Sequence, residues 1–148
     1  MVKKKNMGEP KPKVGVGVMI FKDGRVLLGK RMDLHRVGEY AFPGGRLEYL
    51  ESFEQCARRE TREECGREIE NIRFQFLSNV TRFTPSHTIH IGLIADCAGG
   101  DPEAREPEKF ESWEWYEFDK LPERDDPLFG KCKQDFDCYE SGEKYRDI

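Results

Sequence analysis

The stretch SFEQCARRETREECG, residues 52 to 66, limits what this chain can fold into more than any other. Ser52 followed by Gln55 is a capping-box signature, and Gly66 supplies a left-handed stop, so a helix over 53–65 is expected. On a wheel with Phe53 at about 0°, Glu60 falls near about −20°, Glu64 near about +20° and Glu63 near about −80°. Cys56 and Ala57 lie on that same side, while Gln55, Arg58, Arg59 and Arg62 occupy the opposite one. The acids therefore share the apolar stripe. An ordinary surface helix does the reverse and keeps its i,i+4 pairs, here Arg59 with Glu63, in solvent.

Two carboxylates about 6 Å apart, at an effective dielectric near ~20, repel by roughly 3 kcal/mol. Three of them, half-buried, either take up protons or bind a cation. Hard oxygen ligands favour Mg²⁺ or Mn²⁺, and Mg²⁺ keeps waters and recruits substrate phosphates to finish its shell. A cation held this way polarises phosphoryl oxygens, which makes breakage of a phosphoanhydride the expected chemistry.

Around this helix the pattern is of strands. VGVGVMIF from Val14, a KDGR turn and VLLGKR read as a β-hairpin. Gly15 and Gly17 alternate on one face of its first strand, leaving room either for a covering element packed close or for a flat ligand. YAFPGGRLE is a short extended piece broken at Pro43-Gly44-Gly45. IRFQFLSNVTRF and HTIHIGLIADC read as paired strands, AGGDPEAREPEK as a loop, and FESWEWYEF as a further strand with one Trp buried and one exposed. DPLFGKCKQDFDCYE is expected to form a terminal helix, with Gly130 counting against it. Strands around one or two helices, without a regular βαβ rhythm, predict a mixed α+β sandwich.

A chain of 148 residues suits one domain, read here as 14–148 behind a basic, flexible tail at 1–13. A net charge of −4 argues against duplex nucleic acid as a partner. The tail has no apolar run after it to make a signal peptide, and VGVGVMIF is too short to cross a bilayer. The five cysteines contain no CxxC pair and read as reduced thiols of a cytoplasmic protein.

From Gly45 to Arg67, GRLEYLESFEQCARRETREECGR resembles the Nudix box, with Gly45, Glu51, Arg59, Glu60, Glu63, Glu64 and Gly66 in register. Thr61 and Arg67 depart from it, standing where apolar residues are expected. VGVGV, VLLGKR, FPGGRLE, EPEKFESWEW and PLFG extend the likeness to the nucleoside triphosphate diphosphatases of the MutT-like branch. The resemblance implies an α/β/α sandwich with a mixed β-sheet, a loop-helix-loop that binds Mg²⁺, and a homodimer. It implies water attack on a nucleoside triphosphate, releasing the monophosphate and pyrophosphate.

Carried onto this chain, the likeness makes Glu60 and Glu64 metal ligands, with Glu63 sharing a second ion or orienting water and the Gly45 carbonyl completing the shell. Glu51 and Arg59 would hold the helix in place. Arg31 would contact phosphate, and an acid of the 98–109 loop would assist, Glu108 first and Glu106 or Glu111 next. Leu128 and Phe129, with Phe42 and His87, would form the base pocket. That pocket departs from the pattern: a tryptophan after Phe129 is missing, and His90 stands where threonine is expected.

The nearest rival is a Nudix pyrophosphatase acting on ADP-ribose or another sugar nucleotide. Against it, the proline that marks ADP-ribose members is out of register with Pro85, and RFTPS lacks the tyrosine of diadenosine polyphosphate hydrolases. A non-catalytic nucleotide sensor would be expected to lose box acids, and a structural Ca²⁺ site would show metal-dependent melting without hydrolysis.

Overall fold

The computed structural model describes residues 8–33, 37–121, 130 and 132–148. The strands are β1 Lys13–Lys22, β2 Arg25–Arg31, β3 Tyr40–Ala41, β4 Gly44–Arg46, β5 Ile69–Val80, β6 Thr88–Cys97, β7 Phe110–Glu117 and β8 Tyr145–Asp147, with helices α1 Phe53–Cys65 and α2 Cys132–Ser141. The strands form one mixed sheet in the order β3-β2-β1-β6-β5-β8, with β4 on β1 and β7 on β2. β1 runs parallel to β6 and β5 parallel to β8, and the other pairs are antiparallel. The expected hairpin is present. Its two-residue loop has φ of 50° at Asp23 and 74° at Gly24, the paired left-handed geometry that matches strand twist.

The alternation of β1 divides the core. Val16, Val18 and Ile20 join Leu27, Ile91, Leu93, Ala95 and Trp113 against Cys56, Ala57 and Cys65 of α1. Met19 joins Val26, Leu28 and, on α2, Cys132 and Phe136, with Phe21, Phe42 and Ile94 packed around them. The helices thus cover opposite faces of the sheet, as the α/β/α expectation required. Each side chain the size of Val or Leu that is fully buried contributes about 1.5–3 kcal/mol.

Helix α1 begins and ends where its caps predicted. The Ser52 hydroxyl accepts from the Gln55 backbone N–H at 3.0 Å, and the Gln55 side chain accepts from the Ser52 N–H at 2.8 Å. Gly66 takes φ of 64° and donates its N–H to the Arg62 carbonyl. Two side chains, Phe53 and Trp115, differ from the sequence reading. Phe53, used to mark the apolar stripe, is exposed, and Thr61 is sealed in the core, its hydroxyl donating to the Ala57 carbonyl at 2.7 Å. Trp113 is buried but Trp115 is half-buried against the same core. The C-terminal helix is seen over Cys132–Ser141, and Leu128 and Phe129 lie outside the described residues.

All five cysteines are free. Among the described residues, no helix is long and apolar enough to cross a membrane.

Candidate active site

The centre of the site is where β4 meets α1. The Gly44 backbone N–H donates to Glu64 Oε1 at 2.9 Å. Gly45 lies so close to Glu60 that an added Cβ would fall 2.4 Å from Oε1. Glycine at 44 has a second cause, since a Cβ there would sit 2.2 Å from the Val16 carbonyl of β1. The paired glycines therefore let a strand, a helix and two carboxylates share one small volume.

Glu64 is only 3% exposed. Burial pushes its carboxyl up to about 8; the negative charges of Glu60 and Glu106 push the same way, and the Gly44 N–H opposes them. The Glu60 carboxyl is also raised, first by burial, with Arg59 opposing. Glu64 has no cationic partner among the described residues, and Glu60 shares one, Arg59, with Glu51. Glu63 is different: it is largely exposed, with Arg59 Nη1 3.4 Å away.

Arg59 does not sit on the solvent side, as the wheel alone would place it. Its long side chain folds back to make a bidentate pair with Glu51, at 2.7 and 3.0 Å, while Nη1 reaches Glu60 Oε1 at 2.8 Å and Nη2 the Arg46 carbonyl at 3.0 Å. The guanidinium holds the Glu51 carboxyl down at about 2. One cation thereby ties the turn before α1, the helix and β4 together.

The loop after β6 closes the other end of α1. Backbone N–H groups of Glu103 and Arg105 donate to the carbonyls of Cys65 and Glu64 at 2.9 and 3.2 Å. This brings Glu106 within electrostatic reach of Glu64, while Lys109 Nζ pairs with Glu106 at 2.9 Å. Glu108 is exposed. Glu106, rather than Glu108, is thus the loop acid whose charge acts on the buried carboxylate.

Behind the Gly44–Gly45 wall, on the α2 face of the sheet, lies a cleft of about 800 Å³. Its lining includes Gly15, Arg31, Phe42, Arg46, His90 and Asp135. Glu60 and Glu64 do not line it; they back the wall it shares with them. Arg31 pairs with Asp33 at 2.8 Å and lies 5.4 Å from the centre of the Phe110 ring. His87 stands outside the lining, its Nε2 bonded to Asn79 Oδ1 at 2.7 Å. Of the two β1 glycines, Gly17 makes room for the His90 ring of the neighbouring strand, 2.7 Å from where a Cβ would be, and Gly15 lines the cleft.

A divalent cation fits this donor set, because two desolvated carboxylates with raised pKa are what such an ion would relieve. Among the described residues, no three His, Cys, Asp or Glu side chains converge closely enough to hold an ion by themselves. Glu60 and Glu64 would supply two oxygens, and the rest of a shell would come from backbone carbonyl, water and substrate. Bound there, the cation supplies Lewis-acid polarisation of a phosphoryl oxygen.

The NUDIX domain family model matches residues 11–136, so the chain belongs to the NUDIX family. It is 34% identical over 106 residues to the NAD-capped RNA hydrolase NudC of Edwardsiella ictaluri, covering 72% of this chain and 39% of that protein. It is 32% identical over 111 residues to the oxidized purine nucleoside triphosphate hydrolase of Danio rerio, covering 71% of this chain and 66% of that protein. The chain spans less than two thirds of the length of each. Among solved structures, a MutT NUDIX hydrolase from Burkholderia pseudomallei superposes with a TM-score of 0.69 at 32% identity, covering 76% of this chain and 88% of that one.

Proposed function

We propose that this chain is a Mg²⁺-dependent hydrolase of nucleoside triphosphates, releasing a nucleoside monophosphate and pyrophosphate; Mn²⁺ would serve in place of Mg²⁺. The observation that carries this reading is the Glu60–Glu64 pair, desolvated and set against the Gly44–Gly45 wall of a nucleotide-sized cleft. Glu60 and Glu64, with the Gly45 carbonyl, hold the ion. Glu63, exposed beside them, orients water or shares a second ion, and Glu106 assists from the loop. Arg59 and Glu51 fix the acids, so that little reorganisation is needed when charge develops. Arg31 receives phosphate at the cleft and Phe42 a face of the base. The likeness to an oxidized purine nucleoside triphosphate hydrolase supports a triphosphate substrate, and five free thiols support a cytoplasmic setting.

A second reading, a dinucleotide-type pyrophosphate such as an NAD cap, is favoured by the NudC likeness. Arg46 and Arg82, both lining the cleft, have no carboxylate partner among the described residues and could receive the additional phosphate. The test is to incubate the protein with Mg²⁺ and a panel of ribo- and deoxyribonucleoside triphosphates, ADP-ribose, NAD and a GDP-sugar, identifying products by ³¹P NMR. Pyrophosphate and a monophosphate from a triphosphate are expected. Two monophosphates from the diphosphate-linked compounds alone would transfer the assignment to the second reading.

A further inference from the structure

Asp135 is a buried carboxylate on α2 that no role above uses. It is 5% exposed, and its Oδ1 accepts from His90 Nε2 of β6 at 3.1 Å. Its backbone carbonyl is separately taken by the Gln75 side-chain amide at 3.0 Å. Oδ2 has no partner among the described residues, yet it is not among the side-chain atoms sealed from solvent without one. Since Asp135 and His90 both line the cleft, that oxygen opens into it.

A carboxylate buried with half its acceptor capacity unused is costly unless something else completes it. A plain tie between α2 and β6 would need only the His90 bond, which a neutral side chain could make without burying a charge. The position suits a ligand group. β4 and β6 flank β1, with Gly44 opposite Gly17 and Gly17 opposite Gly92. At about 4.8 Å per strand the two are about 10 Å apart, the scale of a nucleoside whose phosphates lie at the Gly44–Gly45 wall.

We infer that the Asp135 carboxylate, oriented by the His90 imidazole, is the base-reading group of the cleft and selects a guanine-type edge. This rests on the nucleotide reading above. Guanine presents two adjacent donors, N1–H and the 2-amino group, that a carboxylate accepts together. Adenine and cytosine offer one amino donor beside a ring acceptor that repels the carboxylate, and uracil or thymine one N–H between two carbonyls. Asp135 is the specificity-determining residue; His90 is a positioning residue.

The test is calorimetric binding of monophosphates to the wild-type protein, which needs no turnover. GMP should bind about ten- to hundredfold more tightly than IMP, which lacks the 2-amino group, than 1-methyl-GMP, which lacks N1–H, and than AMP. Asp135→Asn should erase these differences. His90→Leu should weaken them, and His90→Gln, which keeps a donor toward Oδ1, should restore part of them. Because IMP and 1-methyl-GMP probe the unaltered protein, the result does not depend on a variant folding. Equal binding of the four nucleotides would overturn the inference and leave the pair as a tie between helix and sheet. Guanine selectivity without triphosphate hydrolysis would retain this inference and reject only the reaction.

Discussion

The Gly44 backbone N–H and the Glu64 carboxylate meet at 2.9 Å, joining β4 to the buried face of α1. That N–H donates to a carboxylate that also feels the negative charges of Glu60 and Glu106. The site is therefore built under electrostatic tension, and the tension makes measurable statements.

Relief by a cation is the first. Mg²⁺ should raise the melting temperature of the wild-type protein, because an ion bound only by the folded state stabilises it by mass action. In the absence of Mg²⁺, Glu64→Gln should melt higher than wild type at pH 9, where the buried carboxylate is ionised, since the amide keeps an acceptor for Gly44 without the charge. Its gain on adding Mg²⁺ should be smaller. Differential scanning fluorimetry of the two proteins, with and without the metal, checks both statements.

The Arg59–Glu51 pair sets the acid limb of stability. Held at about 2 in the folded state against an ordinary 4.5, Glu51 contributes stability that is fully present above the unfolded value and is lost as pH falls from 4.5 toward 2. Glu51→Gln should flatten that part of the melting-temperature profile. Arg59→Ala removes the shared cation from both Glu51 and Glu60 and should cost about 3 kcal/mol in urea unfolding, the low end for breaking a buried pair. Arg59→Lys should recover only part, because one ammonium cannot reproduce a bidentate fork with two further contacts.

Three glycines should separate folding from function. Gly45→Ala directs its methyl at the Glu60 carboxylate, the movable end of a side chain, so the protein should fold while losing metal-dependent activity. Gly44→Ala strikes the Val16 backbone and should lower stability outright. Gly15→Ala meets nothing nearer than 3.6 Å, at Thr88 Cγ2, so it should melt like wild type and show its effect in nucleotide binding. Melting curves beside binding isotherms decide each case.

Helix α1 was legible because its signals are local. A capping box spans three residues, and the wheel depends only on backbone geometry, so both the limits of α1 and the inward face of Glu64 could be read. Where the wheel failed, a side chain overrode it: Arg59 is long enough to fold back across the helix to Glu51. The parallel pairing of β1 with β6 joins segments with α1 and β5 between them, and no local pattern encodes it. Glu106 and Glu108 are alike in sequence and are distinguished only by how the loop caps α1. His90 and Asp135 are 45 residues apart, and neither the strand pattern nor the acidic composition of α2 indicated that they meet.

The central claim is that Glu60 and Glu64 hold a cation that breaks a phosphoanhydride. Its most direct test is pyrophosphate release from nucleoside triphosphates as Mg²⁺ is titrated, for wild type and Glu64→Gln side by side, with circular dichroism confirming equal folding. The account predicts saturable Mg²⁺-dependent turnover in the wild type and a loss of at least about a hundredfold in the variant. A folded Glu64→Gln protein that turns over at the wild-type rate would contradict it.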